Sequence, residues 1–261
     1  MIEHFGIMKA DTNIVPCVSE IPDGTQKIVI AVHGFTSSKE SVTVQMLLKR
    51  LPAAGIGVIG IDLPAHGKAQ ALEEELTVDG AIDSIAAVEG FIEERWPDAE
   101  ICYFGSSFGA YLIGLYISTR PHRGRKAFFR SAAVNMPSLF VKEDPTEQEL
   151  LLLKEVEEKG YVMIGLGGDS MVRITKALID GLSANDLFEK FDPERFGHHK
   201  IAMAHGSIDS LIDPAAAKSF ADRFKIPNTI FEGKGHSLGD GPDDDTPLKV
   251  ADLAIRLFTE Q

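Results

Sequence analysis

Short apolar segments rich in valine and isoleucine recur along the chain, and they constrain its fold more than any other feature. Each is bounded by glycine, proline or charged residues, as is typical of strands that are buried on both faces of a parallel sheet. The predicted strands are residues 27–33, 57–61, 101–104, 131–135, 200–205 and 228–232. Helical patterns separate these segments, and the alternation predicts a doubly wound, mostly parallel α/β sheet.

The connecting segments carry the periodicity of amphipathic helices. The predicted helices are residues 40–51, 78–96, 110–118, 215–224 and 248–258. Two further apolar segments, residues 3–9 and 14–20, precede the first parallel strand and predict an antiparallel start to the sheet.

Residues 139–198 interrupt this alternation, because the distance between successive core strands is too long for one crossover helix. The segment contains an acidic helical pattern at 146–159 and a predicted hairpin of residues 161–166 and 171–175. We interpret 139–198 as an inserted cap, and residues 1–138 with 199–261 as the core. Cap side chains are expected to line the substrate pocket or to form the cap's own small core: Leu139, Phe140, Tyr161, Met163 and Met171.

A G-x-S-x-G motif, Gly105-Ser106-Ser107-Phe108-Gly109, follows one predicted strand and precedes a predicted helix. A nucleophile elbow requires its serine on a strained turn in this context, and the flanking glycines allow the backbone to pass close by. Ser107 occupies the nucleophile position, whereas Ser106 lies one residue too early. The sequence therefore predicts a nucleophilic Ser107 at the start of a helix.

Serine is a weak nucleophile at neutral pH, so it requires a histidine base and a carboxylate that orients the histidine. In α/β proteins with a nucleophile elbow, the three groups follow one another along the chain in the order serine, acid, histidine. Only His236, in the glycine-flanked loop after the last strand, lies beyond the candidate acids. Asp209 and Asp213 are the two candidates for the acid. Asp213 precedes a proline and a helical pattern, which is typical of an N-cap, so we predict that Asp209 orients His236.

Two backbone amides are expected to stabilise the oxyanion that forms during acyl transfer. One is the amide of Phe108, which directly follows the nucleophile, and the other is that of Phe35 in the loop after the first parallel strand. Gly34 permits close approach of the backbone there. We expect His33, Asp62 and His66 to shape the scaffold rather than to react.

Together these motifs resemble the α/β-hydrolase superfamily of serine hydrolases over roughly residues 27–258. The inserted segment is also similar to the lid of bacterial cinnamoyl and feruloyl esterases, although those enzymes often carry histidine before the nucleophile and glutamine after it, where this chain has Ser106 and Phe108. The resemblance implies a carboxylesterase that cleaves short acyl or aromatic esters, such as hydroxycinnamoyl esters, through an acyl-enzyme.

Other reactions use the same triad on the same fold, so serine peptidase, thioesterase and C–C hydrolase activities remain alternatives. A dehalogenase or epoxide hydrolase is disfavoured because those relatives place aspartate where Ser107 stands. A non-catalytic binding protein is the least favoured alternative, since the chain retains a nucleophile, a base and an acid together.

The composition excludes several function classes. The formal net charge of −13 disfavours nucleic-acid and anionic-membrane partners, and the expected partner is a small ester substrate. We expect no cofactor and no metal, because His198-His199 and Asp243–Asp245 lack the spacing of a ligand set. Two cysteines, Cys17 and Cys102, form no disulfide framework, and the chain shows neither a secretory signal nor an apolar span, so a cytoplasmic location is expected.

Overall fold

The computed structural model describes residues 1–9, 13–69, 76–140, 145–165, 171–197, 200–239, 241 and 243–260. Eight strands form the main sheet: β1 (Glu3–Lys9), β2 (Asn13–Glu20), β3 (Lys27–Val32), β4 (Gly57–Ile61), β5 (Glu100–Ser106), β6 (Gly124–Arg130), β9 (Ile201–Gly206) and β10 (Asn228–Phe231). Their order across the sheet is β1-β2-β4-β3-β5-β6-β9-β10. The strands β1 and β2 are antiparallel to their neighbours and all other pairs are parallel, which confirms the predicted fold class.

Helices cover both faces of this sheet. Those of the core are α1 (Val42–Arg50), α2 (Val78–Arg95), α3 (Phe108–Thr119), α9 (Pro214–Phe224) and α10 (Thr246–Thr259). Successive residues of β3 face opposite sides, as the two-residue period of a strand requires. Ile28 and Ile30 belong to the core cluster with α2 and α3, whereas Val29 and Ala31 pack with α1 and α10. Both faces are therefore buried.

One predicted strand was wrong in its position. The strand β6 ends at Arg130, and residues 131–135, which were expected to form it, lie in the loop that follows. The start of β6 was missed because Arg125 and Lys126 interrupt its apolar character, and only Ala127–Phe129 are apolar. Ser131 ends the strand with a left-handed backbone, φ 45°.

The inserted segment begins within one short helix and contains four further helices and a hairpin among its described residues. The helices are α4 (Met136–Phe140), α5 (Glu147–Lys159), α6 (Lys176–Ser183), α7 (Leu187–Lys190) and α8 (Pro193–Phe196), and the hairpin pairs β7 (Tyr161–Gly165) with β8 (Met171–Thr175). The hairpin lies where the sequence predicts it, and its turn falls outside the described residues. Leu178, Leu182 and Leu187 are fully buried in the same core cluster as α2 and α3. The segment therefore packs into the main core rather than around a separate one.

A buried ion pair fixes the loops that follow β3 and β4. Lys39 and Asp62 are each 1% exposed, and the Lys39 Nζ lies 2.5 Å from Asp62 Oδ2. The Asp62 carboxylate also accepts hydrogen bonds from the Lys39 amide at 2.8 Å and from the Lys68 amide at 2.9 Å. These bonds offset the cost of removing the two charges from water.

Both cysteines are buried and unpaired, and burial raises the pKa of each thiol.

Among the described helices, none has the length and apolar character needed to cross a membrane.

We predict that Lys39→Met lowers the free energy of unfolding by about 3 kcal/mol, because it leaves the buried Asp62 carboxylate without its cation. Denaturant titration measures the change. The control is Lys218→Met, which removes an exposed partner of Asp222 and should change stability by less than about 0.5 kcal/mol. The double variant Lys39→Met/Asp62→Asn should cost less than the sum of its single variants. Equal effects of Lys39→Met and Lys218→Met would contradict the buried-pair interpretation.

Candidate active site

Ser107 lies in the turn between β5 and α3. Its backbone has φ 54° and ψ −114°, a conformation that is strained for any residue with a Cβ. The neighbouring glycines explain how the turn closes. A Cβ on Gly109 would lie 2.3 Å from the Val32 carbonyl oxygen, and one on Gly105 would lie 2.6 Å from the Ala110 amide nitrogen. Only glycine fits at these two positions, so the motif reflects packing as well as chemistry.

Asp209 and His236 come from the loops after β9 and β10. Asp209 Oδ2 lies 2.8 Å from His236 Nδ1, while Oδ1 accepts hydrogen bonds from the Leu211 and Ile212 amides at 2.9 and 3.0 Å. This pairing directs His236 Nε2 away from the carboxylate. His236 also lines the same cavity as Ser107, so the two side chains face one space.

Asp213 occupies the other role that the sequence predicts for this loop. Its Oδ1 accepts a hydrogen bond from the Ala215 amide at 2.8 Å, and the residue caps the N-terminus of α9. The two candidate acids thus have separate structural positions, with only Asp209 beside His236.

His205 is a residue of this site that the sequence did not single out. It is fully buried at the end of β9, and its Nε2 lies 3.1 Å from Asp209 Oδ2 and 3.2 Å from the Ile212 carbonyl oxygen. Burial by itself raises the pKa of Asp209, but hydrogen bonds from His205, His236 and the Ile212 amide hold that pKa well below its usual value. Asp209 is therefore ionised at neutral pH. The only sequence signal was the four-residue spacing of His205 and Asp209 at a strand end.

The loop after β3 brings Phe35 close to the nucleophile. A Cβ on Gly34 would lie 3.2 Å from the Ser107 Cβ, so the loop passes directly over the elbow. The rings of Phe35 and Phe108 meet edge to face with centroids 5.5 Å apart. The two residues predicted to donate oxyanion amides are thus neighbours on either side of Ser107, although their role as donors stays a prediction.

Two buried histidines hold this loop in place. His33 Nε2 accepts from the Leu63 amide at 3.1 Å, and His66 Nε2 accepts from the Thr36 amide at 3.0 Å. Each Nδ1 faces a backbone carbonyl oxygen at 2.7 Å, so both rings are neutral with the proton on Nδ1. Burial and the neighbouring His66 lower the pKa of His33 to about 4, and burial also lowers the pKa of His66.

A cavity of about 510 Å³ opens at Ser107 and His236. Its wall is mainly apolar, with several hydroxyl groups on the side of α1. Among the described residues, no aspartate or glutamate lines it, and the one lysine or arginine is Arg130. The lining residues are Val32, His33, Gly34, Phe35, Thr36, Ser37, Ser41, Thr43, Val44, Phe104, Ser106, Ser107, Phe108, Arg130, Ala133, Met136, Leu211, Ile212 and His236.

Two of the predicted cap residues lie on the hairpin of the inserted segment. Tyr161 and Met163 lie on β7 and are not among the described residues that line this cavity. The Tyr161 ring packs beneath the Arg173 guanidinium at 3.9 Å, and Met163 is 42% exposed. The structure thus places Tyr161 against Arg173 and Met163 toward solvent, and their role in the substrate pocket stays a prediction. The side chains of Leu139, Phe140 and Met171 lie outside the described part of the structure.

Residues 23–173 match the family described as "Serine aminopeptidase, S33". The chain belongs to this hydrolase family. The match includes the loop after β3 and the elbow at Ser107, whereas Asp209 and His236 lie beyond it. No curated protein sequence matches the chain.

Solved structures resemble the S33-family chain over nearly its whole length. Est1E from Butyrivibrio proteoclasticus, in a structure with ferulic acid bound, superposes with a TM-score of 0.78 and 16% identity over 98% of this chain and 100% of that one. The esterase domain of a Rhodothermus marinus protein gives a TM-score of 0.70 and 15% identity, over 98% and 97% respectively. These similarities establish the α/β-hydrolase fold.

We predict that Asp209→Asn lowers kcat by roughly 10³–10⁴-fold, because asparagine cannot stabilise the imidazolium and favours the wrong tautomer of His236. Asp213→Asn is the matched control. Asparagine is itself a good N-cap, so this variant should retain turnover and lose little stability. Steady-state hydrolysis of p-nitrophenyl esters measures both. The reverse pattern would reassign the orienting acid to Asp213.

We also predict an acid-sensitive loss of stability that originates at His33. The unfolded chain takes up a proton near pH 6.5, whereas folded His33 resists protonation until about pH 4. The free energy of unfolding therefore decreases as the pH falls between these values, by up to about 1.4 kcal/mol per pH unit for one such group. His33→Asn should be less stable at neutral pH but show a shallower dependence in thermal unfolding. A slope in His33→Asn equal to that of the wild type would refute the assignment.

Proposed function

We propose that the protein is a serine esterase that cleaves carboxylic esters through an acyl-enzyme, with Ser107 as nucleophile, His236 as base and Asp209 as orienting acid. The observation that carries the proposal is the 2.8 Å contact between Asp209 Oδ2 and His236 Nδ1. His236 lines the same cavity as Ser107, whose backbone is strained. A strained serine, an oriented imidazole and an ionised carboxylate are the groups that acyl transfer requires.

In the proposed reaction, Ser107 Oγ attacks the ester carbonyl carbon while His236 Nε2 takes its proton. The negative charge on the carbonyl oxygen would be stabilised by the amides of Phe35 and Phe108, and the latter lies at the positive end of α3. The C–O bond to the alcohol then breaks, and the alcohol leaves with the proton from His236. Water, deprotonated by His236, attacks the acyl-enzyme, releases the acid and restores Ser107.

The surroundings of Asp209 suit this cycle. An imidazolium forms at His236 twice in each turnover, and a carboxylate that stays ionised stabilises it each time. Asp209 receives two backbone hydrogen bonds and a contact from His205, which keep its charge in place without the help of solvent. His205 is thus a positioning residue for the acid in this proposal.

The cavity wall favours a short acyl or aromatic ester, such as a hydroxycinnamoyl ester. Apolar side chains dominate it, including those of Val32, Phe104, Met136 and Ile212. Such a wall binds an acyl chain or ring and provides few anchors for a charged group. The ferulic acid bound to Est1E, which has the same fold, is consistent with this choice. Two buried free cysteines are compatible with the reducing cytoplasm, where we place the protein.

An aminopeptidase activity, which the family description suggests, is the second candidate. Such an enzyme binds the cationic amino terminus of a peptide, and a carboxylate near the nucleophile is the usual partner for that charge. The described lining of the cavity contains no carboxylate and places the Arg130 guanidinium there instead. This charge distribution favours a neutral ester over a peptide amino terminus. Thioesters and C–C bonds would require the same triad, so only a substrate panel separates them.

We propose that residues 139–198 act as a cap that selects the substrate, because α4 leads from the cavity into this segment. Met136, the first residue of α4, lines the cavity and is 4% exposed. Leu139 and Phe140 follow on the same short helix and stay candidates for the pocket wall.

We predict that Ser107→Ala lowers ester hydrolysis by about 10³-fold or more while leaving the thermal midpoint nearly unchanged, because it removes only the nucleophilic oxygen. The assay is a panel of p-nitrophenyl esters, hydroxycinnamate esters, a thioester and aminoacyl p-nitroanilides. Ser106→Ala should lower turnover several-fold at most, because Ser106 hydrogen-bonds to Arg130 rather than to the substrate. Hydrolysis of the anilides in preference to every ester would replace the esterase proposal with the peptidase.

A further inference from the structure

The segment 130–133, which begins at the last residue of β6, contacts both the amide and the carbonyl group of the proposed nucleophile. The Ser107 amide donates to the Arg130 carbonyl oxygen at 2.8 Å, and the Ala133 amide donates to the Ser107 carbonyl oxygen at 3.2 Å. Both hydrogen-bonding groups of the Ser107 backbone are thus engaged by this segment. The segment thus helps to fix the elbow, together with the Ala110 and Tyr111 amides of α3, which also donate to the Ser107 carbonyl oxygen.

The same segment also contacts the loop that carries His236. The Ser131 hydroxyl donates to the His236 carbonyl oxygen at 2.9 Å, and Arg130 Nη2 donates to the carbonyl oxygen of Ser237. Two consecutive residues of the segment therefore bind two consecutive carbonyl oxygens of the base loop. A second guanidinium nitrogen, Nη1, donates to Ser106 Oγ at 2.7 Å, which fixes the Arg130 side chain beside the elbow.

We propose that Arg130 and Ser131 are positioning residues that hold the His236 loop at a set distance from Ser107. The inference rests on the proposed function, since it assigns a role within the same reaction. Ser107 and His236 lie on loops that leave different strands, β5 and β10, so their relative position depends on whatever connects those loops. The segment 130–133 makes that connection through four hydrogen bonds, two to Ser107 and two to the base loop.

Burying the charged guanidinium of Arg130 is energetically unfavourable, which supports a role for this residue beyond packing. Arg130 is 8% exposed, and its guanidinium donates to two uncharged acceptors, the Ser106 hydroxyl and the Ser237 carbonyl oxygen. Burial lowers the pKa of its guanidinium to about 10, although the charge of Asp209 opposes this shift. A buried cation without a direct ion pair is unfavourable, so an apolar residue would stabilise this site better if packing were its only role.

The backbone of Ser131 also has an unfavourable conformation. Its backbone is left-handed, with φ 45°, and the residue is fully buried. A non-glycine residue in this conformation is held by its surroundings. The turn brings the hydroxyl within reach of the His236 carbonyl oxygen, which a continued strand would not do because its side chains alternate between the two faces.

Arg130 also lines the cavity at Ser107, so it could instead bind a carboxylate of the substrate. Kinetics distinguish this anchor role from the positioning role. The positioning role predicts a lower kcat with an unchanged KM for every ester. The anchor role predicts a higher KM for anionic esters only. Two p-nitrophenyl esters of equal acyl length, the valerate and the monoanionic glutarate, make this comparison.

The closing experiment measures kcat and KM for both esters, together with the rate at which a fluorophosphonate labels the protein. Labelling forms a P–O bond to Ser107, expels fluoride and passes the serine proton to His236, so its rate reports the Ser107–His236 arrangement whatever the natural ester is. The variants are Arg130→Met, Arg130→Lys and Ser131→Ala. The controls are Arg195→Met and Thr25→Val, whose side chains bind backbone carbonyl oxygens away from the cavity.

We expect Arg130→Met to lower kcat and the labelling rate by about tenfold or more with KM within about twofold for both esters, because small displacements of a base reduce catalysis sharply. Arg130→Lys should recover part of the loss, since one ammonium reaches one carbonyl oxygen but cannot replace the planar pair of donors. Ser131→Ala, which removes a single hydroxyl, should lower both rates by about threefold to tenfold and tests the proposal even if Arg130→Met does not fold. Both controls should match the wild type.

A loss confined to KM for the glutarate ester would overturn the positioning role in favour of substrate binding. Wild-type kcat and labelling in folded Arg130→Met and Ser131→Ala would also overturn it. Labelling of the wild type that persists in Ser107→Ala would instead refute the proposed nucleophile. The failure of this inference and the failure of the proposed function are thus distinguishable.

Discussion

The backbone of Ser107 has a left-handed φ of 54° at the point where β5 becomes α3, and the rest of the site depends on how that turn is held. The turn can close because Gly105 and Gly109 lack a Cβ, which at either position would lie less than 3.0 Å from neighbouring backbone atoms. A third glycine, Gly206, acts in the same way at the end of β9, where a Cβ would lie 2.1 Å from the Lys234 carbonyl oxygen. Close packing of strand ends therefore brings together the loops that carry Ser107, Asp209 and His236.

This packing buries the charged carboxylate of Asp209, and hydrogen-bond donors around it offset the free-energy cost of removing the charge from water. Asp209 accepts from two backbone amides and contacts both His205 and His236, so each of its oxygens has at least two partners. The loop after β3 is held by uncharged side chains as well. The neutral rings of His33 and His66 accept hydrogen bonds from backbone amides and donate hydrogen bonds to carbonyl oxygens. These neutral histidines act beside the buried Lys39–Asp62 ion pair, so the scaffold of this loop uses both neutral and ionised groups.

Features with a local signature could be predicted from the sequence. The strands β3, β4 and β5 appear as apolar runs, the elbow appears as a motif between strand and helix, and Asp213 was separated from Asp209 because an N-cap has its own pattern. Features that depend on contacts between distant segments could not. The start of β6 carries Arg125 and Lys126, which conceal it, while Tyr161 and Met163 are apolar residues whose direction is set by a hairpin. His205 and Arg130 have no motif, and their roles depend on the neighbours that the fold supplies.

Arg130 and Asp209 place opposite charges near the His236 loop, and the two act on it at different points. Asp209 accepts a hydrogen bond from the imidazole itself, whereas Arg130 donates one to the main-chain carbonyl oxygen of Ser237. A cation placed against the ring would oppose the imidazolium that acyl transfer requires. Because Arg130 reaches the backbone instead, it can fix the loop through a charge-assisted hydrogen bond while the stabilising charge at the imidazole remains that of Asp209.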